Sequence, residues 1–288
     1  MQLTLVIGSR NISSWSLRPW MALRQGGVPF EEVVVALRRP DTARILARWS
    51  PSAKVPVLLI DGRPIWDSLA ICELAAELAP DLWPADPIAR AHARSVSSEM
   101  HSGFMPLRRF LPMDFIARFA APGRLLRDVA KDIARIEAIW IDCRERHADD
   151  GPFLFGKFGV ADAMFAPVVS RFLTYGIELG EIATSYMTVV RSLPAWEEWS
   201  AAAALDEEQG PAPAAVAAWS AALSQTPAQA FARDDRAASA AAAPHLVVDG
   251  PPVPGGAPAS PAGQPLSRPR SSRPSEIKPI GDGIHRRR

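Results

Sequence analysis

Apolar and polar positions follow two different periods along the first 80 residues. Strand-like apolar runs occupy residues 2–8 and 30–36, and each is followed by apolar positions at helical spacing. A strand, a tight turn, a second short strand and a further helix complete the region. These patterns predict the order β-α-β-α-β-β-α. The first strand, helix and strand are expected to form a parallel pair with a right-handed crossover.

The strongest local pattern lies in the second half of this region. Asp61 and Gly62 separate two apolar runs, and this dipeptide favours a type I′ hairpin turn because both central residues need a positive φ. Asp67 and Ser68 precede an apolar helical face, so we expect them to cap that helix through its first-turn amides. Pro56 cannot donate a ladder hydrogen bond, so it should be an edge or entry residue of its strand.

Two interpretations of this stretch remain open. In the first it is an ordinary hairpin followed by an ordinary helix cap. In the second, Asp67 and Ser68 offer a carboxylate, a hydroxyl and helix amides within one turn, which suits a ligand group carrying both an ammonium and a carboxylate. A cis peptide bond before Pro56 would also turn the backbone of Val55 outward, towards a ligand.

Ser13 and Ser14 lie in the polar loop between the first strand and the first helix. The positive end of a helix dipole favours an anion there, such as a thiolate. A hydroxyl that donates a hydrogen bond to a thiolate favours the charged form and lowers the thiol pKa. The alternative is that one of these serines only caps the helix.

From about residue 80 the pattern changes to helix alone. Three prolines between residues 80 and 87 indicate a linker. The third helix after it is apolar nearly all round, so we expect it at the buried centre of an all-α domain. His101, Met105 and Arg108 share a face of the first of these helices, and a core or solvated face is enough to explain them. The predicted helices lie at about residues 87–110, 123–147, 160–175, 185–193 and 194–203.

The patterns divide the chain into four parts. We predict an α/β domain over residues 1–80, a linker over 81–87, an all-helical domain over 88–204, and a tail rich in alanine and proline over 205–288. Most of this tail is expected to be disordered because it cannot bury enough apolar surface to offset its loss of chain entropy. A loose helix is predicted around residues 214–223.

Composition and charge narrow the functional class. The 288 residues carry a formal net charge of +1 without a basic stripe, so no nucleic-acid partner is predicted. No apolar run approaches the roughly 20 residues of a membrane-spanning helix, and no export leader is recognised. Cys72 and Cys143 are isolated, which predicts no metal site and a reducing, cytoplasmic location.

Residues 1–204 resemble a bacterial cytosolic glutathione transferase. Residues 13–20 read SSWSLRPW, which is similar to the Ser-Ser-Cys motif of the zeta class and its bacterial relatives. The Val55-Pro56 step followed by Asp67-Ser68 is similar to the glutathione site of the whole superfamily. The resemblance implies a thioredoxin-like domain followed by an all-helical domain, the same order of elements as the patterns above.

The resemblance also implies a role for particular residues. Ser13, with Ser14 as a close second, would bind the glutathione sulfur and stabilise its thiolate. The backbone of Val55, beside a cis-Pro56, would pair with the cysteinyl part of glutathione. The γ-glutamyl end would be held by Asp67 and Ser68, and a carboxylate of the tripeptide by Lys54. The electrophile would lie between the domains, where the candidate contacts are Trp15, Met105 and Phe110.

Two positions depart from the family pattern. The third residue of the zeta motif is cysteine, whereas here it is Trp15, so the resemblance implies glutathione binding more directly than maleylacetoacetate isomerase activity. Relatives begin their central helix with Ser/Thr-x-x-Asp, whereas this chain has Gly159 at the cap and keeps Asp162. Glycine is an acceptable cap, at a cost of a few tenths of a kcal/mol.

Three functions are therefore expected from the sequence. The first is a homodimeric glutathione transferase that conjugates glutathione to a small hydrophobic electrophile. The second is a glutathione-dependent cis–trans isomerase that returns its cofactor unchanged. The third is a binding or regulatory protein that kept the fold without catalysis, since fold alone does not imply function.

Overall fold

The computed structural model describes residues 1–121 and 125–206 of the chain. The disordered tail and loose helix predicted beyond residue 206 lie outside these residues.

The N-terminal part of the described chain is built on a mixed four-stranded sheet. Its spatial order is β2-β1-β3-β4; β1 is parallel to β2 and antiparallel to β3, which pairs antiparallel with β4. Val6 of the first strand lies opposite Val33 on one side and Val57 on the other, so the predicted parallel pair is present. The strands are β1 Leu3–Gly8, β2 Glu31–Val35, β3 Val57–Ile60 and β4 Arg63–Ile65.

Helices surround the sheet and make up the second half of the described chain. Together with the sheet, the first three form a thioredoxin-like domain, and the rest form an all-helical domain, so the predicted fold class is confirmed. The helices are α1 Ser14–Gln25, α2 Thr42–Leu46, α3 Ser68–Leu78, α4 Pro87–Ser102, α5 Met105–Phe110, α6 Arg127–Arg146, α7 Val160–Thr174, α8 Glu181–Arg191 and α9 Pro194–Ala203.

The hairpin and the helix cap agree with the sequence. Asp61 and Gly62 have φ values of 48° and 80°, the two positive values that the predicted turn requires. The carboxylate of Asp67 caps α3 by accepting hydrogen bonds from the amides of Leu69 and Ala70, at 3.1 and 3.3 Å. The peptide bond between Val55 and Pro56 is cis.

The single helix predicted over residues 87–110 is wrong. It divides into α4 and α5, because Phe104 adopts a left-handed backbone conformation with a φ of 60°. A non-glycine residue in this region interrupts the right-handed helix. Apolar periodicity continues across such a break and therefore conceals it.

Helix α7 is the buried centre of the helical domain, as predicted. All of its residues are buried except Leu173. It packs against α1 of the thioredoxin-like domain and against α4 of its own domain. The guanidinium of Arg18 on α1 donates from Nε to the carbonyl of Met164 at 3.2 Å, which joins the two domains through a buried hydrogen bond.

The start of α7 has no room for a side chain at Gly159. A Cβ atom on Gly159 would lie only 2.7 Å from the carbonyl oxygen of Leu82 in the linker. Asp162 still closes the cap, since its two carboxylate oxygens accept from the amides of Leu154 and Gly159 at 3.1 and 2.9 Å. Burial raises the pKa of Asp162 to about 6, and the backbone amides oppose that shift.

Among the described helices, none combines the length and the apolar character that crossing a membrane requires.

Replacing Asp162 with alanine should destabilise the fold far more than an equivalent change at an exposed cap. Asp162→Ala leaves two backbone amides without acceptors at a fully buried position, which should cost about 3 kcal/mol. Asp86 caps α4 in an exposed position, so Asp86→Ala should cost about 1 kcal/mol. Urea unfolding of both variants measures the difference. Equal losses would show that Asp162 does not hold the start of α7.

Candidate functional site

A cavity of about 440 Å³ lies where the hairpin, the start of α3, the start of α1 and the end of α4 meet. The five residues expected to bind glutathione all line it, and they lie at the two ends of the hairpin. Its lining consists of Trp15, Ser52, Lys54, Val55, Pro56, Trp66, Asp67, Ser68 and His101.

A larger cavity, of about 830 Å³, lies beside the linker. None of the predicted site residues lines it. Two pairs of its charged side chains contact each other, Lys157 with Asp81 at 3.6 Å and His147 with Asp150 at 3.1 Å. The smaller cavity is the better candidate because it is lined by a buried hydroxyl, that of Ser68, without a hydrogen-bond partner among the described residues.

Asp67 and Ser68 present polar groups at the start of α3. One carboxylate oxygen of Asp67 caps the helix, while the other is 2.9 Å from Nε2 of His101. The side chain of Asp67 is half exposed, so a ligand can reach it. The hydroxyl of Ser68 is buried and has no hydrogen-bond partner among the described residues. An unsatisfied buried hydroxyl is unfavourable, so its position suits a ligand carboxylate that would accept its proton.

His101 also lines the cavity. From the sequence alone, an ordinary core or surface position is enough to explain this histidine. It lies near the end of α4, so the helical domain supplies one wall of a cavity otherwise built by the thioredoxin-like domain. Partial burial lowers the pKa of His101 from 6.5, and Asp67 opposes the shift. No local sequence pattern indicates the contact between His101 and Asp67, because 34 positions separate the two residues.

Trp15, which the resemblance places at the position of the zeta-class cysteine, lines the cavity. Two guanidinium groups lie over its ring: the Cζ atom of Arg18 is 4.2 Å from the ring centroid and that of Arg108 is 4.9 Å. The imidazole of His101 meets the ring edge-on at 5.3 Å. Such cation–π contacts hold the indole in a fixed orientation.

Ser13 and Ser14 stand beside the cavity without lining it, and their hydroxyls have different partners. Ser13 precedes α1, and its Oγ donates to Oγ of Ser16 at 2.7 Å. Ser14 is the first residue of the helix, and its Oγ accepts a hydrogen bond from Nη2 of Arg171 at 3.2 Å. Both serines are buried.

The two other candidates for the electrophile pocket do not line this cavity. Met105 is 61 % exposed at the start of α5, and Phe110 is half-buried against the core at its end. Their assignment to an electrophile pocket stays a prediction.

Three arginines cluster behind Trp15. Burial is the main cause that lowers the pKa of Arg18 well below its usual value, and Arg108 and Arg171 add to the effect. Burial likewise lowers the pKa of Arg171 to about 10, with Arg108 contributing. In the part of the chain that the structure describes, neither Arg18 nor Arg171 forms an ion pair with a carboxylate. Arg171 lies inside an otherwise apolar helix, and this position is the sequence feature that could indicate a buried arginine.

The fold agrees with comparisons to known proteins. A family model of the glutathione S-transferase N-terminal domain matches residues 12–78, and one of the C-terminal domain matches residues 123–202. A maleylacetoacetate isomerase of Rattus norvegicus is 36% identical over 181 residues, which cover 61% of this chain and 80% of the relative. The chain belongs to the glutathione S-transferase family.

Two further similarities are narrower. A probable maleylacetoacetate isomerase of Caenorhabditis elegans is 42% identical over 100 residues, or 34% of this chain and 46% of the relative, so the chain spans about half the length of that protein. The crystal structure of a glutathione transferase homologue from Burkholderia, with bound glutathione, aligns with a TM-score of 0.55 at 22% identity. It covers 71% of this chain and 99% of the homologue, and it shows the shared fold.

Replacing His101 with glutamine should change how stability depends on pH. The pKa of His101 is lower in the folded protein than its ordinary 6.5, so the unfolded chain binds a proton first as the pH falls. His101 therefore favours the folded state above about pH 6.5, and that contribution is lost as the pH falls below it. Glutamine can still donate to Asp67 but does not titrate.

Urea unfolding at pH 7.5 and pH 5.5 measures the effect. The unmodified protein should lose more stability between these two values than His101→Gln does. Parallel losses would mean that the environment of His101 does not disfavour its charged form.

Proposed function

We propose that this chain is a glutathione transferase, which activates the thiol of glutathione and conjugates it to a small hydrophobic electrophile. One observation carries the proposal: Lys54, Val55, Pro56, Asp67 and Ser68 line a single cavity of about 440 Å³ beside the Ser13–Ser14 loop. The hairpin brings residues 54–56 next to residues 67–68, and there the half-exposed carboxylate of Asp67 and the unpartnered hydroxyl of Ser68 face a space of ligand size.

Each lining group matches a part of the tripeptide. The half-exposed carboxylate of Asp67 would pair with the γ-glutamyl ammonium, and the unpartnered hydroxyl of Ser68 with the γ-glutamyl carboxylate. The backbone of Val55, before Pro56, would pair with the cysteinyl residue. The exposed ammonium of Lys54 would bind the carboxylate at the other end of the molecule.

The chemical requirement is a lowered thiol pKa. A free cysteinyl thiol has a pKa of about 8.5, so only a few per cent is thiolate at pH 7. A shift of about two units would make the thiolate dominant and corresponds to about 2.7 kcal/mol. The Ser13–Ser14 loop at the start of α1 supplies the hydroxyls for this stabilisation. The thiolate then attacks the electrophile, which would lie against Trp15 with Met105 and Phe110 as further contacts.

A glutathione-dependent isomerase is the second candidate. Relatives named maleylacetoacetate isomerase, among them the rat protein at 36% identity, support it. The cluster of Arg18, Arg108 and Arg171 beside Trp15 favours a substrate that carries carboxylate groups. In this reaction the thiolate would add to the substrate and leave again after rotation about the former double bond, so glutathione is released unchanged.

We also propose that the chain acts in the cytoplasm as a homodimer. The support for assembly is family membership together with an exposed apolar side chain on α3 of the thioredoxin-like domain, Leu78 at 37 %. Light scattering should give twice the mass of one chain. The mass of a single chain would contradict the dimer without affecting the glutathione site.

Ultraviolet difference titration of bound glutathione tests the proposed function directly. A thiolate band should appear with a midpoint well below pH 8.5, because the site stabilises the charged form of the thiol. Asp67→Ala should weaken glutathione binding by about tenfold or more through loss of one charged contact. Glu77→Ala, a change at another acidic residue of α3 that does not line the cavity, is the matched control.

The outcomes separate the three functions. A conjugate that forms with a panel of hydrophobic electrophiles supports the transferase. Turnover of maleylacetoacetate with full recovery of glutathione supports the isomerase. Tight binding with an unshifted thiol pKa would point to a non-catalytic binding protein, and the absence of binding would contradict the whole assignment.

A further inference from the structure

We propose that His92, Asp142 and Cys143 form a binding site for a divalent transition metal, for which zinc is the best fit. The side chains come from α4 and α6 of the helical domain, and one donor atom of each lies within 4.8 Å of the other two. None of the three residues lines the glutathione cavity, so this site is separate from it. The sequence spacing alone predicts no metal site, because the histidine and the cysteine lie on different helices.

The three donor atoms are a nitrogen, an oxygen and a sulfur, which are the atoms that zinc takes as ligands in proteins. Magnesium and calcium prefer oxygen ligands, so the thiol disfavours them. In a tetrahedral zinc site, neighbouring donor atoms are about 3.3–3.6 Å apart. Nε2 of His92 and Oδ2 of Asp142 are 3.7 Å apart, close to that separation. A water would complete the coordination, since three protein ligands leave one position open.

The two ligands nearer the surface are held by neighbouring side chains. Oδ1 of Asp142 accepts a hydrogen bond from Nε of Arg146 at 2.8 Å, while Oδ2 faces His92. Phe155 meets the imidazole of His92 edge-on at 5.3 Å. Contacts of this kind orient the ligands of metal sites. The side chains of His92 and Asp142 are 32% and 44% exposed, so an ion can reach them and both can rotate to close around it.

An ion pair elsewhere along the same two helices fixes α4 against α6. Arg135 donates from Nε and Nη2 to the two carboxylate oxygens of Glu99, at 2.7 and 2.8 Å. Glu99 follows His92 by about two turns of α4, and Arg135 precedes Asp142 by about two turns of α6. Both pairs therefore belong to one antiparallel contact, which holds the metal ligands opposite each other.

Cys143 supplies the buried side of the site. Adjacent residues of a helix point about 100° apart, so Asp142 reaches the surface while Cys143 faces the core. Burial raises the pKa of the Cys143 thiol to about 12, and Asp142 adds to the shift. The thiol therefore keeps its proton until a metal replaces it. Binding breaks the S–H bond, forms a metal–sulfur bond and releases one proton to solvent. The thiolate and the carboxylate then balance the two charges of the ion.

Titration with cobalt(II), a coloured ion that adopts the coordination of zinc, tests the site. The sample is the reduced full chain, without a histidine tag and without glutathione. A thiolate-to-cobalt charge-transfer band should appear in the near ultraviolet, together with the visible bands of a four-coordinate ion. Zinc should displace both sets of bands. A weakly buffered solution should record the release of about one proton per ion.

Substitutions at the ligands have matched controls. Cys143→Ser should abolish the charge-transfer band, whereas Cys72→Ser, at the other buried cysteine, should leave it unchanged. His92→Ala and Asp142→Asn should each weaken cobalt binding about tenfold or more. Asp128→Asn changes an exposed acidic residue of the same helix and should have no such effect. Melting curves identify any variant that does not fold, and the more exposed His92 carries the test if a Cys143 variant fails.

Three results would overturn the inference. They are the absence of cobalt binding, cobalt binding without a charge-transfer band, and a band that survives in Cys143→Ser. Equal weakening by Asp142→Asn and Asp128→Asn would also contradict the site. All of these results leave the proposed function intact, because the titration of bound glutathione is made without added metal.

Discussion

The packing of α1 against α7 is the constraint on which the rest of the structure depends. Helix α7 is buried along almost its whole length. Its apolar surface is shielded from water only because the thioredoxin-like domain covers one of its sides. That burial carries two arginines into the boundary between the domains, Arg18 from α1 and Arg171 from α7. Each donates to a group on the opposite helix, which fixes the first turn of α1 relative to the helical domain.

The same domain contact builds the candidate site. The hairpin and the cap of α3 form through local chemistry within the thioredoxin-like domain, yet they supply only part of the cavity. The end of α4 brings His101 against Asp67, so the carboxylate that the sequence assigns to a ligand is shared with a histidine from the other domain. The proposed ligand contact and the domain packing therefore use the same carboxylate.

Much of the fold could be predicted from the sequence because its signals are local. The positive φ values of Asp61 and Gly62 and the cap formed by Asp67 follow from the chemistry of a few neighbouring residues. The break at Phe104 could not be found in this way, because apolar spacing continues through it. The sequence indicates that Gly159 is a tolerable cap. It does not indicate that a side chain is excluded there, because the obstacle is the Leu82 carbonyl in the linker, which leaves no room for a Cβ atom.

The candidate site likewise combines features that the sequence predicts with features that depend on the tertiary structure. By itself the sequence determined the order of the elements, the cavity-lining residues of the hairpin and the pair of serines at the start of α1, since each depends on neighbours within a few positions. Only the tertiary structure brought Arg171 to Ser14, and His101 and Arg108 to Trp15. Ser14 and Arg171 are 157 positions apart, and no local pattern records a hydrogen bond over that distance. Hydrogen-bond direction and buried charge depend on which groups meet when the domains pack.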